Sequence, residues 1–592
     1  MVRDAKRRAP GVSAASRDDS AGIADAAVER LLDGAERALM DGDATLAQRL
    51  AREALAARPE EARALFMAGK LEHLAGRFDA AQALLQRAAD REPRHVDVHL
   101  ELAQLARRAR DFERCLDELS LALYYDPDNS TAYFELGSVH QMRGDVDGAI
   151  EFFKKTLDKN PDHSRALTEL GLSYLTKERY AEALEVLERA VALDPKSQSA
   201  QNHLSFACVR LEEYERALEI MRKLVRGTPR SMLWQRLNLG TAYDHTGRFE
   251  ESERCYEFVL RHEPSNFAAH WNRAHLVLAR HDFERGWPGY QYRLQVESVW
   301  APRLIPFAPW KGEPLQGKSI IVSAEQGLGD QIMFASCVRD LYEQGASVLL
   351  ECDERLAPLF RRSFPQVRVL GTRHEFVPAW LREVGQPDYH VPAGSLPVFL
   401  RRRLADFPQH DGYLHADPGK GDKWRSRVAA LGPGLKVGLS WRGGTRTTRR
   451  QLRSLSLPDL LPVLQVPGCR FVCLQYGEVS KDLDALRDTA GIDIAHWPEA
   501  IADYDETAAL CCALDITVSV CTSAIHLNGA LGRPVWVMVP AVAEWRYGRS
   551  GEQMPWYPAV RLLRQSARGE WGPVMQRIVA NLAELAAKRQ VQ

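Results

Sequence analysis

This chain of 592 residues lacks most of the features that place a protein at a glance. It has no apolar run near the roughly 20 residues that a membrane helix needs. Its 78 Lys and Arg balance 79 Asp and Glu, so the formal net charge is −1. No global field therefore draws it to nucleic acid or to an anionic membrane. Cysteine is sparse: ten residues are scattered along the chain with no CxxC pair. A buried, reduced set in a cytoplasmic protein is the expectation, with no metal site. HExxH, P-loop and Gly-x-Ser-x-Gly segments are all missing. Met1–Gly22 has no apolar core for export and is rich in Arg, Asp, Ser and Ala. Residues 1–27 are expected to be a disordered lead-in. Length alone asks for two or three domains.

What is present begins with a ruler. Pro59, Pro93, Pro127, Pro161, Pro195 and Pro229 lie 34 residues apart, and Pro264 follows after 35. In step with them run Ala35, Gly69, Ala103, Gly137, Gly171, Ser205, Gly240 and Ala274. A third series falls 12 residues later, at Ala47, Ala81, Cys115, Ala149, Ala183, Ala217, Ser252 and Gly286. Small residues at two fixed places let paired helices approach, and a proline marks the end of each pair. The pattern resembles the tetratricopeptide repeat family. Eight repeats span residues 28–300, with the extra residue in the turn Arg230–Met232. The last drifts into Trp287-Pro288-Gly289, where its second helix should run on. Stacks of this kind present long surfaces to proteins or peptides. At the sixth position of successive repeats stand Glu101, Glu135, Glu169, His203, Asn238 and Asn272. The asparagines resemble those that hold peptide backbone in O-linked N-acetylglucosamine transferases, while the glutamates suggest a basic or polar partner.

Beyond residue 300 the grammar changes to short β-branched runs followed by helices. Strands are expected at Ser319–Ala324, Ser347–Cys352, Val367–Leu370 and near Tyr389, with a helix over Gln331–Gln344. A polar linker at 411–433 precedes strands at Lys436–Trp441, Arg470–Gln475, Ile516–Val520 and Val535–Val539. Asp503–Leu514 and Val574–Lys588 read as helices, the last packing back across both halves. Such alternation implies two parallel sheets with helices on both faces, over about 301–410 and 434–592. Ligands of open parallel sheets sit beyond the C-terminal ends of the strands.

Three segments lie at such ends. Gly327-Leu328-Gly329-Asp330-Gln331 follows a strand and opens a helix. Asp330 can accept a proton from a hydroxyl there, or merely complement the helix dipole. Gly327-x-Gly329 with Glu351 also invites a dinucleotide reading, although Ile332 replaces the third glycine. Trp441-Arg442-Gly443-Gly444-Thr445-Arg446, with Arg449, Arg450 and Arg453 beyond, can wrap a diphosphate with amides and guanidinium groups, or form a solvated basic loop. Thr522, Ser523 and His526 open a third helix and can meet the same anion; a lone helical histidine is as readily structural. Gln475 and Tyr476 could meet a nucleoside. Glu544, Trp545, Arg546 and Arg549 could line the cleft, and Trp556 and Tyr557 read as core aromatics.

Taken together, AEQGLGDQIMFAS (324–336), SWRGG (440–444), RSLSL (453–457), LQYG (474–477), DETAALCCALD (505–515), HLNGALGRPVWVMVP (526–540) and PWYP (555–558) carry a further resemblance. They resemble bacterial proteins that fuse tetratricopeptide repeats to a heptosyltransferase-like glycosyltransferase, over roughly residues 28–580. The resemblance implies an α-solenoid followed by a GT-B fold of two Rossmann-like halves. The N-terminal half would take the acceptor and the C-terminal half a nucleotide sugar, used as substrate with no resident cofactor. It further implies inverting, metal-independent transfer with Asp330 as base and Thr522 and His526 in the diphosphate segment. Cys521 departs from it, standing where the family has aspartate. Three functions follow: transfer to a protein held by the repeats, construction of a lipopolysaccharide or other glycan, or a non-catalytic scaffold.

Overall fold

A computed structural model describes residues 15–224, 233–296, 303–325, 327–373, 375, 377–444 and 450–591. The extra residue expected at Arg230–Met232 lies outside them. The chain divides into two compact units, Met1–Leu211 and Glu212–Gln592. The division falls inside the sixth repeat rather than near residue 300, so the last repeats belong to the same unit as the α/β region.

Sixteen repeat helices are present among the described residues. The first, Ala15–Met40, begins inside the segment expected to be disordered. Second helices end at Ala57, Arg91, Tyr125, Lys159, Leu193 and His262, each two residues before a ruler proline. The glycines are there for close approach. A Cβ added to Gly69, Gly137, Gly171 or Gly240 would stand 2.5–2.7 Å from Leu85, Phe153, Leu187 or Tyr256 respectively. Each partner lies on the second helix of the same repeat. Ala81, Cys115, Ala149, Ala183 and Ala217, on the other small series, are fully buried.

The glutamates of the sixth position are already engaged. His73 Nδ1 lies 2.7 Å from Glu101, Arg107 Nε 2.8 Å from Glu135, and Gln141 donates to Glu169 at 3.1 Å. These contacts staple each first helix to the next repeat, so the glutamates already have partners within the stack. In the eighth repeat the second helix is short, Phe283–Tyr290, and holds Pro288 in its last turn. Its Trp287 is buried and donates to the Arg401 carbonyl at 2.8 Å, so this helix packs on the α/β region.

The first sheet contains β1 (Ser319–Ser323), β2 (Ser347–Asp353), β3 (Arg368–Thr372) and β4 (Tyr389–Pro392), all parallel, in the order β3-β2-β1-β4. The second contains β5 (Leu435–Ser440), β6 (Cys469–Cys473), β7 (Ile516–Val520), β8 (Val535–Val539), β9 (Gln553–Met554) and β10 (Tyr557–Arg564), in the order β6-β5-β7-β8-β10-β9. Sequence reading missed the last two, and β9 runs antiparallel to β10 at the edge. The helices that bear on the site are α1 (Leu328–Ala335), α2 (Val338–Glu343), α3 (Ala357–Ser363), α4 (Pro418–Ala429), α5 (Tyr504–Ala513), α6 (Ser523–Ala530) and α7 (Gly572–Val591).

Three expectations are corrected. The single helix 331–344 is broken between α1 and α2, where Arg401 donates to the Ser336 carbonyl at 3.3 Å and pairs with Asp340. The linker 411–433 is packed: the amides of Tyr413 and Leu414 donate to the Ala530 carbonyl, and α4 buries Trp424, whose Nε1 donates to Glu506 at 2.6 Å. The final helix α7 does not cross between sheets. Val574, Met575, Ile578 and Leu582 join Val437, Leu439 and Leu563 in the core of the second sheet alone. The sheets are tied elsewhere, by the ion pair of Arg362 on α3 with Asp505 on α5.

None of the ten cysteines is in a disulfide; nine are buried and Cys512 is half-buried. No helix among the described residues is long and apolar enough to cross a membrane.

Candidate functional site

In each sheet the chain changes direction across one strand: β1 lies between β2 and β4, and β5 between β6 and β7. A crevice opens beyond the C-terminal end of such a switch strand. Here the two crevices form one cavity of about 790 Å³, within the range of small-molecule sites. Gly327 comes from the loop after β1, Gly329 and Asp330 from the first turn of α1, and Arg355 from the loop after β2. Ser440 closes β5, Leu474 and Tyr476 follow β6, and Cys521, Thr522 and Ser523 follow β7.

Two helix N-termini meet there. Gly327 caps α1 and Thr522 caps α6. A Cβ on Gly329 would stand 2.9 Å from His526 Cδ2 and 3.6 Å from the Ser523 Cα. Glycine is what allows the two first turns to come this close. Their free N–H groups and aligned dipoles favour an anion.

A chain of alternating charges crosses the cavity wall. Arg453 Nη1 lies 2.7 Å from Glu544 Oε1, Arg546 Nη1 lies 3.5 Å from Glu544 Oε2, and Arg546 Nη2 lies 3.0 Å from Asp330 Oδ1. Burial raises the Asp330 carboxyl above its usual range; Arg546 pulls it down, while Glu325 and Glu544 push it up further. A raised carboxyl is a better proton acceptor near neutrality. Arg546 stays protonated because Asp330 and Glu544 outweigh its desolvation.

His526 is buried, with Nδ1 3.1 Å from the Tyr557 hydroxyl. Burial, with Arg546 nearby, holds it down at about 3, so it is a neutral imidazole at pH 7 and not a cation. Cys521 is also buried: its thiol is pushed up to about 12 by desolvation and points to the Met538 carbonyl.

Gly327, Gly329, Asp330, Thr522, Ser523 and His526 are thus brought together. Other residues named from the sequence are not. Gln475 is buried, and its Oε1 accepts the amides of Trp441 and Arg442 at 3.0 and 2.7 Å. It braces the turn after β5 and has no free edge for a nucleoside. Gln331 likewise donates to the Glu325 carbonyl at 2.6 Å and accepts the Asp353 amide at 2.8 Å. Trp441 is a core residue. Arg442 pairs with Asp482 at 2.8 Å and donates to the Glu478 carbonyl at 2.8 Å. Gly443 serves the packing, because a Cβ there would stand 2.7 Å from the Cys521 carbonyl. Arg446 and Arg449 lie outside the described residues, and the side chain of Arg450 does too.

Glu351 closes the dinucleotide alternative. Both of its oxygens pair with Arg303, at 2.7 and 2.6 Å, and it also accepts from Trp380, Thr372 and the Ala324 amide. Nothing remains for a ribose. Trp545, Trp556 and Tyr557 are core aromatics. The cationic wall is made by two other candidates named from the sequence, Arg453, which opens the RSLSL segment, and Arg546.

Comparison with known proteins bears on the repeats. Tetratricopeptide repeat models match residues 32–81, 72–138, 128–196, 168–231 and 237–286. Residues 32–286 are therefore a tetratricopeptide repeat region, followed by a region of parallel sheets. Protein FlbA of Caulobacter vibrioides is 34% identical over 334 residues, covering 53% of this chain. This chain spans about half, 55%, of that curated relative. Among solved structures, a thermophilic TPR protein of Thermus thermophilus is 21% identical, with 31% of this chain and 100% of that chain covered and a TM-score of 0.28. Pseudomonas aeruginosa pilF is 19% identical, with 35% and 94% covered and a TM-score of 0.31.

Proposed function

We propose that the chain is a glycosyltransferase that moves a sugar from a nucleoside-diphosphate sugar to a hydroxyl, in a GT-B arrangement of its two sheets. The acceptor in this reading is a protein or peptide held by the repeats. The observation that carries it is the cavity where the first turns of α1 and α6 face each other, with Asp330 on one and the Thr522–His526 segment on the other. That pairing sets a carboxylate beside an anion site, which is what transfer from a diphosphate donor needs.

The chemistry divides between the two sides. Asp330 takes the proton of the acceptor hydroxyl, whose oxygen attacks the anomeric carbon from the face opposite the leaving group, inverting it. The nucleoside diphosphate departs with growing negative charge. The N–H groups of α6, the neutral His526 ring and Arg453 are prepared donors for that charge, and such donors are typically the largest single contribution to a rate. The apolar wall of Leu474, Tyr476, Val479, Pro498 and Ile501 suits a nucleoside base. In this scheme no step calls on a metal or a resident cofactor.

Two observations favour a second reading, a scaffold that keeps a nucleotide pocket without turnover. Asp330 is tied to Arg546, and Cys521 is turned into the core. A screen of nucleotide sugars by thermal shift and hydrolysis separates the two. The transferase gives a melting shift and slow donor hydrolysis with the same nucleotide. Stabilisation without hydrolysis or transfer supports the scaffold, and no response to any nucleotide refutes both.

A further inference from the structure

The segment 540–551, between β8 and β9, carries Glu544 and Arg546 into the cavity, yet much of its support comes from the repeats. The Arg549 amide donates to the Ala279 carbonyl at 2.9 Å, at the end of the first helix of repeat eight. The Arg549 guanidinium lies 4.0 Å over the ring of Phe249, which opens the second helix of repeat seven. Gly548, at φ +67°, passes so close to His281 that a Cβ would stand 2.6 Å from Nε2. Trp545 packs against Trp287 and Tyr290 with ring centroids 5.4 and 5.5 Å apart. On its other side the segment is held by Arg564, which donates to the carbonyls of Tyr547, Gly548 and Gly551.

Arg549 is costly where it sits. Its Nε and Nη2 are buried without an acceptor among the described residues. A half-buried cation with open hydrogen bonds, held over a ring, asks for an explanation in terms of position.

We infer that repeats seven and eight are part of the cavity's scaffold, with Arg549 the positioning residue that keeps Arg546 on Asp330. The repeats then do more than collect a partner: those nearest the sheets set the charge arrangement at the site. The inference goes beyond the proposed transferase and does not need it, because the Asp330–Arg546 contact is present without a substrate.

The test reads that contact directly in the full chain. Four charged groups act on the Asp330 carboxyl: Arg546 and Glu544 from the segment, Glu325 after β1, and Arg293 at the end of repeat eight. With Arg549→Ala, Arg546 loosens and its downward pull fades. The Asp330 carboxyl, followed by carbon NMR of labelled aspartate and assigned with Asp330→Asn, should then titrate at a higher pH. A nearby opposite charge is worth about 1–3 units, so partial loosening should give at least about half a unit. Arg549→Lys keeps a cation over the ring and should bring the Asp330 titration most of the way back to that of the parent chain. Phe249→Leu removes the ring from the repeat side and should move Asp330 the same way; it decides the matter if Arg549→Ala does not fold. Arg568→Ala, which breaks an exposed pair with Glu215 and removes a cation 5.7 Å over the Tyr214 ring, should change nothing. An unmoved Asp330 titration in Arg549→Ala or Phe249→Leu overturns the inference, as does an equal shift in Arg568→Ala.

Discussion

Replacing Gly329 by alanine probes the joint on which the site depends. The new methyl carbon would lie 2.9 Å from His526 Cδ2. Carbon atoms rest at about 3.5–4.0 Å, so one wall must retreat by roughly 0.6–1 Å. His526 cannot swing away easily, because it is buried and its Nδ1 is held by Tyr557 at 3.1 Å. The strain therefore separates α1 from α6, at about 1–3 kcal/mol for an overpacked contact. A misplacement near 1 Å at a reacting site can cost about 100-fold. Urea unfolding should show a lower midpoint for Gly329→Ala, and calorimetry with a bound nucleotide should show weaker affinity. Gly385→Ala is the control: that glycine is exposed and a Cβ there meets nothing within 4 Å. If Gly329→Ala matches the control in both measurements, the two helix ends do not form one site.

Three further expectations concern the repeats and acid stability. Gly137→Ala drives a methyl to 2.6 Å from the Phe153 ring, so urea unfolding should show about 1–3 kcal/mol lost, with nucleotide binding unchanged. His390 is held down at about 4 and His526 at about 3, both chiefly by burial, against an ordinary 6.5. Their neutral folded forms contribute stability that is full above pH 6.5 and is lost as pH falls toward 4 and 3. Melting temperature should therefore drop over that window, and His390→Gln should flatten part of the drop; an unchanged slope counts against it. Asn238 Nδ2 is buried without a hydrogen-bond partner among the described residues, and Asn272 reaches Thr241 only at 3.5 Å. Asn238→Ala with Asn272→Ala should weaken acceptor modification while donor hydrolysis persists, and equal loss of both argues against docking there.

The repeats were legible because each mark is set by a contact within one repeat. Gly69 meets Leu85 and Gly171 meets Leu187 at the same spacing, so the sequence repeats what the packing repeats. The strands of the sheets were legible as β-branched runs, and β7 and β8 have the expected ends. The edge pair β9–β10 was not, because Trp556 and Tyr557 read equally well as core aromatics and Pro558 argues against a strand. The break between α1 and α2 depends on Arg401, more than 60 residues away in sequence. The same distance effect governs the site. Asp330, Thr522, Ser523 and His526 follow strands, and position relative to a strand end can be read locally. Whether Arg442 or Arg453 faces the cavity is decided by Asp482 and Glu544, partners that only the folded chain brings near. Gln475 was misplaced for the same reason: its acceptor is consumed by two amides from a different strand end.

The most direct measurement is transfer by Asp330→Asn, with the nucleotide sugar that binds the parent chain. Asparagine keeps the size of the side chain but cannot take a proton, and general-base assistance is typically worth about 100–10,000-fold. Asn also leaves Arg546 with a neutral partner, so binding should be read beside the rate. A base at Asp330 predicts a folded variant with near-parent nucleotide affinity and transfer at least about 100-fold slower. A variant that melts earlier yet turns over at nearly the parent rate would contradict it.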